Sequence, residues 1–423
     1  MAPSQTDDAD ASESSRERPA FWSSADDANT RGASKRSQLL VVVTLLVAGL
    51  LVVGASAGGA LAGPPAANSG GNDSATTVAF IADAGMSDGT RDVLNLIADE
   101  GTDVVVYSGD FDYQDDPTGW VDMIDAELGP DIPVLGVMGN HDVEHWAAYQ
   151  RALSDRLNRS DEVKCSGDLG WESTCRTADL TVVQSGAGIC AYDDPSKAGY
   201  LPERCADYDP ADDEAYVGDQ LDHAATTWSV CSWHLNDADY QVGDKSSLVS
   251  AALYDTCREG GAIIATGHDH AYARTYAMAD FSTESVADTS PPYTVGNGST
   301  FAVVSGAAGH SIYDTTDLVD APYWAATHTS GAFGAFFCKL NPDGTGECYF
   351  KTVDGEVLDG PFEIHRAGAN DSTAGTTVNE TTTEAPTTES TTEAPTTDES
   401  TAPTSTNDST TEKPTECADG AAP

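Results

Sequence analysis

The 423-residue chain carries 69 acidic against 20 basic residues, a formal net charge of -49, on an ordinary apolar content of 39%. Seven tryptophans and fifteen tyrosines exclude a purely disordered acidic protein, because disorder goes with few aromatics and little to bury. The sign of the charge excludes nucleic acid as a partner, since its binders carry a basic footprint, and such an excess is the composition of a protein kept soluble in concentrated salt, pointing to an extreme halophile and to an archaeon.

Residues 1–37 are polar and charged, end in Arg31, Lys35 and Arg36, and read as a disordered cytoplasmic leader. Residues 38–63 are uncharged, with the apolar stretch LLVVVTLLVAGLLVV at their centre, and are long enough to span a bilayer, which takes roughly 20 residues. Basic residues precede this stretch and none follow closely, so the expected arrangement is a transmembrane signal anchor with the remainder outside the cell. A cleaved signal peptide is the alternative, with Ala60-Leu61-Ala62 as the small-residue cut site; the chain would then be secreted. A linker at 64–75 leads into a globular region at 76–366.

That region alternates strand and helix patterns. TVAFIAD, DVVVYSGD and IPVLGVMGN are short apolar runs of strand type, separated by the amphipathic SDGTRDVLNLIADEG and the helix-like TGWVDMIDAELG, and followed by EHWAAYQRALSDRLN. The alternation predicts βαβ units with strands buried on both faces. TTWSVCSW, GAIIATG, TFAVVSG and a hairpin over about 335–352 add strands, so the second half is expected to be mixed or antiparallel.

Eight of the nine cysteines fall between Cys165 and Cys348 without a CxxC pair, which outside the cell suggests disulfides rather than zinc. Local spacing pairs Cys338 with Cys348 across a hairpin-like turn, Cys165 with Cys175, Cys190 with Cys205, and leaves Cys231 with Cys257. Free buried cysteines are the competing reading. Sequons at Asn72, Asn158, Asn297, Asn370, Asn379 and Asn407 fit an extracellular glycoprotein. Residues 367–423 form a Thr/Glu/Pro-rich low-complexity tail, expected to be extended and O-glycosylated, which ends near a lone Cys417.

Polar residues gather where the strands end: Asp83-Ala84-Gly85, then Gly109-Asp110-Phe111-Asp112-Tyr113, Gly139-Asn140-His141-Asp142, His234, and Gly267-His268-Asp269-His270. Each fragment alone has a plain explanation as a turn or helix cap. In open α/β sheets, however, functional groups collect at strand ends, and here five such fragments follow in order.

In this order they resemble the calcineurin-like metallophosphoesterase superfamily, and within it the purple acid phosphatases, with Tyr113 completing Gly-Asp-x-x-Tyr and Ala271-Tyr272-Ala273-Arg274 continuing the last motif. The resemblance implies a four-layer α/β/β/α sandwich with two mixed sheets and two metal ions. It places Asp83, Tyr113 and His270 on one metal and Asn140, His234 and His268 on the other, with Asp110 as the bridge. Oxygen ligands including a phenolate suit Fe(III), and imidazole with an amide oxygen suits Fe(II), Zn or Mn.

The implied reaction is attack of a metal-bound hydroxide on a small phosphate monoester. His141 is expected to contact the phosphate or protonate the leaving oxygen, a task that the ordinary histidine pKa of about 6.5 suits. Alternatives are a phosphodiesterase or nucleotide hydrolase on the same metal pair, or a glycosylated surface protein with a vestigial site. Two departures from the family stand out: Ala82 replaces the usual glycine, and no second histidine follows His234. His145 and His310 could approach the pocket instead, and Asp269 has no assigned role.

Overall fold

Successive residues of β1 (Thr76–Ile81) enter two different cores: Val78 and Phe80 belong to one cluster of buried apolar side chains, Ala79 and Ile81 to another. A strand buried on both faces needs a layer on each, and this fixes the architecture of the domain. The computed structural model describes residues 74–192, 201–313, 321–328 and 332–368; the leader, the apolar stretch at 38–63 and the Thr-rich tail with Cys417 lie outside the described residues. Among the described residues no helix is long and apolar enough to cross a membrane.

In chain order the next strands are β2 (Val104–Tyr107), β3 (Val134–Gly136), β4 (Lys164–Asp168), β5 (Glu172–Arg176), β6 (Leu180–Ser185), β7 (Trp228–Ser232), β8 (Ile263–Thr266) and β9 (Tyr272–Thr275). They are followed by β10 (Ala277–Asp280), β11 (Ser285–Asp288), β12 (Tyr293–Val295), β13 (Ala302–Ser305), β14 (Trp324–His328), β15 (Gly334–Leu340), β16 (Thr345–Thr352) and β17 (Val357–Arg366). One seven-stranded sheet runs β12-β17-β16-β15-β1-β2-β3, parallel from β1 to β3 and antiparallel from β1 to β17. An eight-stranded sheet runs β14-β9-β13-β8-β7-β6-β5-β4, with a parallel centre from β13 to β6 and antiparallel flanks. Strands β10 and β11 form a separate two-stranded ribbon.

The two sheets pack face to face through Val78, Phe80, Val106, Val182, Val230, Ile263, Val303 and Phe336. The other core cluster joins the helices to the outer faces, with Val93 and Ile97 of helix Asp88–Asp99, Trp120 of Pro117–Glu127 and Tyr149 of Trp146–Leu157 over the first sheet. Val217 and Leu221 of helix Pro210–Asp222 and Leu253 of Ala251–Glu259 belong to the same cluster, together with Val183, Cys231 and Ile264 of the second sheet. This is the expected helix-sheet-sheet-helix order. The βαβ alternation over the first 80 residues of the domain follows the sequence pattern; the β4–β6 meander and helix Pro210–Asp222 had no counterpart in that reading.

Among the described residues the four disulfides are those the local spacing suggested: Cys165–Cys175, Cys190–Cys205, Cys231–Cys257 and Cys338–Cys348. Two of them bridge directly opposed residues of antiparallel pairs. Of the sequons, Asn158 and Asn297 fall among the described residues, and both are exposed.

Arg274, the last residue of the Ala-Tyr-x-Arg stretch, lies on β9 away from the clustered strand ends. Its guanidinium donates through Nε and Nη2 to the Asp359 carboxylate at 2.6 and 3.0 Å, and it lies 3.9 Å over the Phe362 ring. The pair is almost fully buried, at 4% and 11% side-chain exposure, and joins the two sheets. Breaking such a pair on one side leaves a buried charge uncompensated. Asp359→Ala is expected to cost about 3–5 kcal/mol in chemical denaturation, and the loss should persist in molar salt, because buried pairs are screened much less than exposed ones. A loss that disappears with added salt would show the pair to be solvent-screened.

Candidate metal centre

The carboxyl ends of β1, β2, β3, β7 and β8 deliver Asp83, Asp110, Asn140, His234 and His268 to one place. The backbone there is unusual. Asp83, Asp110, Tyr113 and His268 all have φ between 54 and 69°, a left-handed conformation that non-glycine residues adopt at a cost and that gathers at functional sites. Gly139 stands where a Cβ would run into the backbone N and Oδ1 of Asp110, so the third strand can close on the second only with glycine there.

Asp142 holds this junction. Its two carboxylate oxygens accept from the backbone N–H groups of Gly139, Asp110 and Phe111 at 2.8–2.9 Å. Burial and the charge of Asp110 push its pKa up to about 8, while the N–H donors from Phe111 and Gly139 favour the ionised form. A cation beside Asp110 would relieve the repulsion. Sequence reading placed no role on Asp142; the signal was its position two residues after Asn140, where a carboxylate can turn back on the loop that carries it.

The side chains sort into two adjoining groups. On one side Tyr113 donates its hydroxyl to Asp83 Oδ1 at 2.8 Å and lies 2.8 Å from His270 Nε2, which is itself 3.5 Å from Asp83 Oδ1. On the other, His234 Nε2 lies 3.1 Å from Asn140 Oδ1 and 3.3 Å from Asp110 Oδ2. Asp110, His234 and His268 all present ligand atoms within 4.8 Å of one another. Asp110 also interacts with the Tyr113 hydroxyl, so this one carboxylate touches both groups. A second group within ligand reach, Asp115 with Glu144 and His145, is half-buried to exposed; His145 pairs loosely with Asp115 at 4.0 Å and does not line the cavity.

These donors fit cations. Asp83 Oδ2 is buried without a hydrogen-bond partner, and such an orphan is costly unless a cation satisfies it. Both histidines turn Nε2 inward and Nδ1 outward, to the Ser108 carbonyl at 2.7 Å for His234 and to the Ser311 hydroxyl at 2.5 Å for His270. That outer hydrogen bond is how metal-ligating histidines have their ring nitrogens assigned. Burial opposes a charge on His234, yet Asp110 outweighs it and pushes its pKa up to about 9. The same carboxylate is held well below its ordinary range: burial works against this, and His234 and His141 more than compensate. The locus calls for positive charge. His268 is pushed down to about 2 by burial and then by His234 and Lys245, leaving a neutral imidazole with a free lone pair. Burial, then Asp110 and Asp83, drive the Tyr113 phenol far above its usual pKa, so without a cation it stays protonated.

Above these groups opens a cavity of about 680 Å³ lined by His141, Tyr192, Lys245, His268, His310 and Tyr313, among others. His141 is tied in by its backbone N–H to Asp110 Oδ1 at 2.8 Å, and its ring lies 4.6 Å from that of Tyr113. His310, one of two histidines expected as candidates to approach the pocket, does so: it stacks on Tyr113 at 3.7 Å and donates its backbone N–H to the Asp83 carbonyl. Its sequence signal was weak, a lone histidine after Ala-Ala-Gly that only the β13 crossover brings to the site. Lys245 and Tyr313 were not anticipated.

Residues 76–272 match the model of the calcineurin-like phosphoesterase family. Among solved structures, the chain is similar to a purple acid phosphatase from yellow lupin (Lupinus luteus) seeds at 16% identity and a TM-score of 0.52, covering 70% of this chain and 54% of that one. It thus spans about half the length of that relative. GAP50 of Plasmodium matches at 11% identity and a TM-score of 0.44, over 70% of this chain and 93% of that one, and a dimetal phosphatase from Danio rerio at 13% and 0.39, over 68% and 99%. No curated protein matches.

Asp142 is testable independently of any reaction. Asp142→Asn replaces one acceptor oxygen by an NH₂ that must face N–H donors, and metal affinity should fall by about 10- to 100-fold in a chelator competition. Unchanged affinity would remove Asp142 from the support of the centre.

Proposed function

Since the chain belongs to the calcineurin-like metallophosphoesterase superfamily and is a metal-dependent hydrolase, we propose that it hydrolyses phosphate monoesters at a binuclear centre in the cavity described above. The observation that carries this reading is the position of Asp110, one carboxylate in contact with the Asp83–Tyr113–His270 group and with the Asn140–His234–His268 group. Asp83, Tyr113 and His270 would hold one cation, Asn140, His234 and His268 the other, and Asp110 both. A phenolate on one side suits Fe(III), and imidazole with an amide oxygen on the other suits Fe(II), Zn or Mn.

Such a pair supplies charge against the phosphoryl oxygens and acidifies water. The chain's own residues do the rest. Ser108 and Ser311 orient the imidazoles of His234 and His270 from behind. His141, held beside Asp110 by its backbone N–H, would contact the phosphoryl group and protonate the leaving oxygen. His310 stacks on the Tyr113 ring and limits its motion.

The four disulfides favour an oxidising compartment, which supports an extracellular domain. In the same reading residues 38–63 act as anchor or export signal, 1–37 as leader, 64–75 as linker and 367–423 as tail, with glycans on exposed sequons.

A panel of monoesters, diesters and nucleotides assayed in molar salt tests the reaction. Activity on monoesters is expected, lost on chelation and restored by metal. His141→Ala should lower kcat by about 10²- to 10⁴-fold with metal content intact. Activity on diesters alone would replace the monoesterase by a phosphodiesterase, and a metal-loaded protein with no hydrolysis of any ester would leave a vestigial site. In iron-loaded protein, Tyr113→Phe should abolish a visible charge-transfer band.

A further inference from the structure

Among the described residues lining the cavity, Lys245 is the one lysine or arginine. In a chain with only 20 basic residues against 69 acidic ones, a half-buried lysine beside two metal-type histidines is not an incidental surface charge. Its Nζ donates to the main-chain carbonyl of His268 and lies 5.1 Å over the ring of Tyr313, which itself stacks on His270. An ammonium has three donors, so two remain for a ligand. Burial pulls its pKa down, while Asp83, Asp269 and Asp110 pull it up.

The loop that carries Lys245 is tied to the residue between the two histidines. Asp269 Oδ2 accepts the backbone N–H groups of Val242 and Gly243 at 2.8 and 2.7 Å, and Gln241 Nε2 donates to the Lys245 carbonyl at 2.7 Å. A Cβ on Gly243 would collide with Asp269 Oδ1. The segment Gly267–His270 therefore sets the metal-type histidines and the lysine together.

We propose that Lys245 contacts the non-bridging phosphoryl oxygens of the substrate and selects a dianionic monoester over a monoanionic diester, and that Asp269 positions it; this rests on the phosphatase reading above. At molar salt the screening length is about 3 Å, so the field of the whole protein cannot choose between anions of different charge. A cation in direct contact can. A phosphate monoester carries close to two negative charges at neutral pH, and a diester carries one.

The test uses full-length, metal-loaded protein in molar salt and measures inorganic phosphate binding by calorimetry. Lys245→Met should weaken phosphate by about 10- to 100-fold at unchanged metal content, and Lys245→Arg by no more than a few-fold. Lys245→Met should also lower kcat/KM for an aryl monoester more than for the matching diester. Asp269→Asn should weaken phosphate as well, and adding it to Lys245→Met should give little further loss, the coupling expected of residues acting through one contact. Unchanged phosphate affinity in Lys245→Met with metals in place overturns the contact, and fully additive losses overturn the role of Asp269. A wild-type protein that binds phosphate through Lys245 yet hydrolyses no monoester would sink the phosphatase reading alone.

Discussion

The centre depends on a carboxylate that touches no candidate cation. Asp142 gathers three backbone N–H groups from the ends of two neighbouring strands, and in doing so places Asp110, Asn140 and His141 with respect to one another. That clamp, with the His141 N–H on Asp110 Oδ1, holds the left-handed turn at Asp110 and the close approach of Gly139. Strain of this kind persists only when its surroundings over-determine it. Here they do so with three backbone N–H groups converging on one buried carboxyl group.

The same low-dielectric setting concentrates negative charge. Asp83, Asp110, Asp142 and Asp269 are all essentially buried, and isolated buried carboxylates are expensive. Their pairing is uneven: Asp142 is satisfied by backbone, Asp269 in part, and Asp83 retains an orphan oxygen. A cluster left so short of donors, ringed by imidazoles whose outer nitrogens are already engaged, is organised for cations rather than for its own stability. At molar salt only contacts within a few ångströms carry electrostatic information, and in this chain of net charge -49 the buried site groups face one another at that range.

Several motif residues turn out to hold the frame. Arg274 completes a stretch that resembles a phosphatase signature, yet it serves as a buried strut to Asp359. Asp269, flanked by His268 and His270, faces away from them and fastens a loop from a distant part of the chain. The chain turns sharply here, with His268 in the left-handed region and the Asp269 N–H on the Gly267 carbonyl, which is how a single short motif can combine ligands with scaffolding.

The sequence by itself determined the α/β class, the strand ends that carry polar residues and the disulfide pairs, because periodicity, turn chemistry and short-range spacing are local properties. It also displayed Asp83, Asp110, Tyr113, Asn140, His234, His268 and His270 as an ordered set, since each directly follows or closely trails an apolar strand. What only the tertiary structure decided is what crosses between distant segments: His310 stacked on Tyr113, Lys245 brought to the cavity by Asp269, Ser311 behind His270, and the inter-sheet pair of Arg274 with Asp359. These residues carry no local pattern of their own. Their positions follow from the order in which two mixed sheets stack, and from the few hydrogen bonds that pin each loop once the strands are in register.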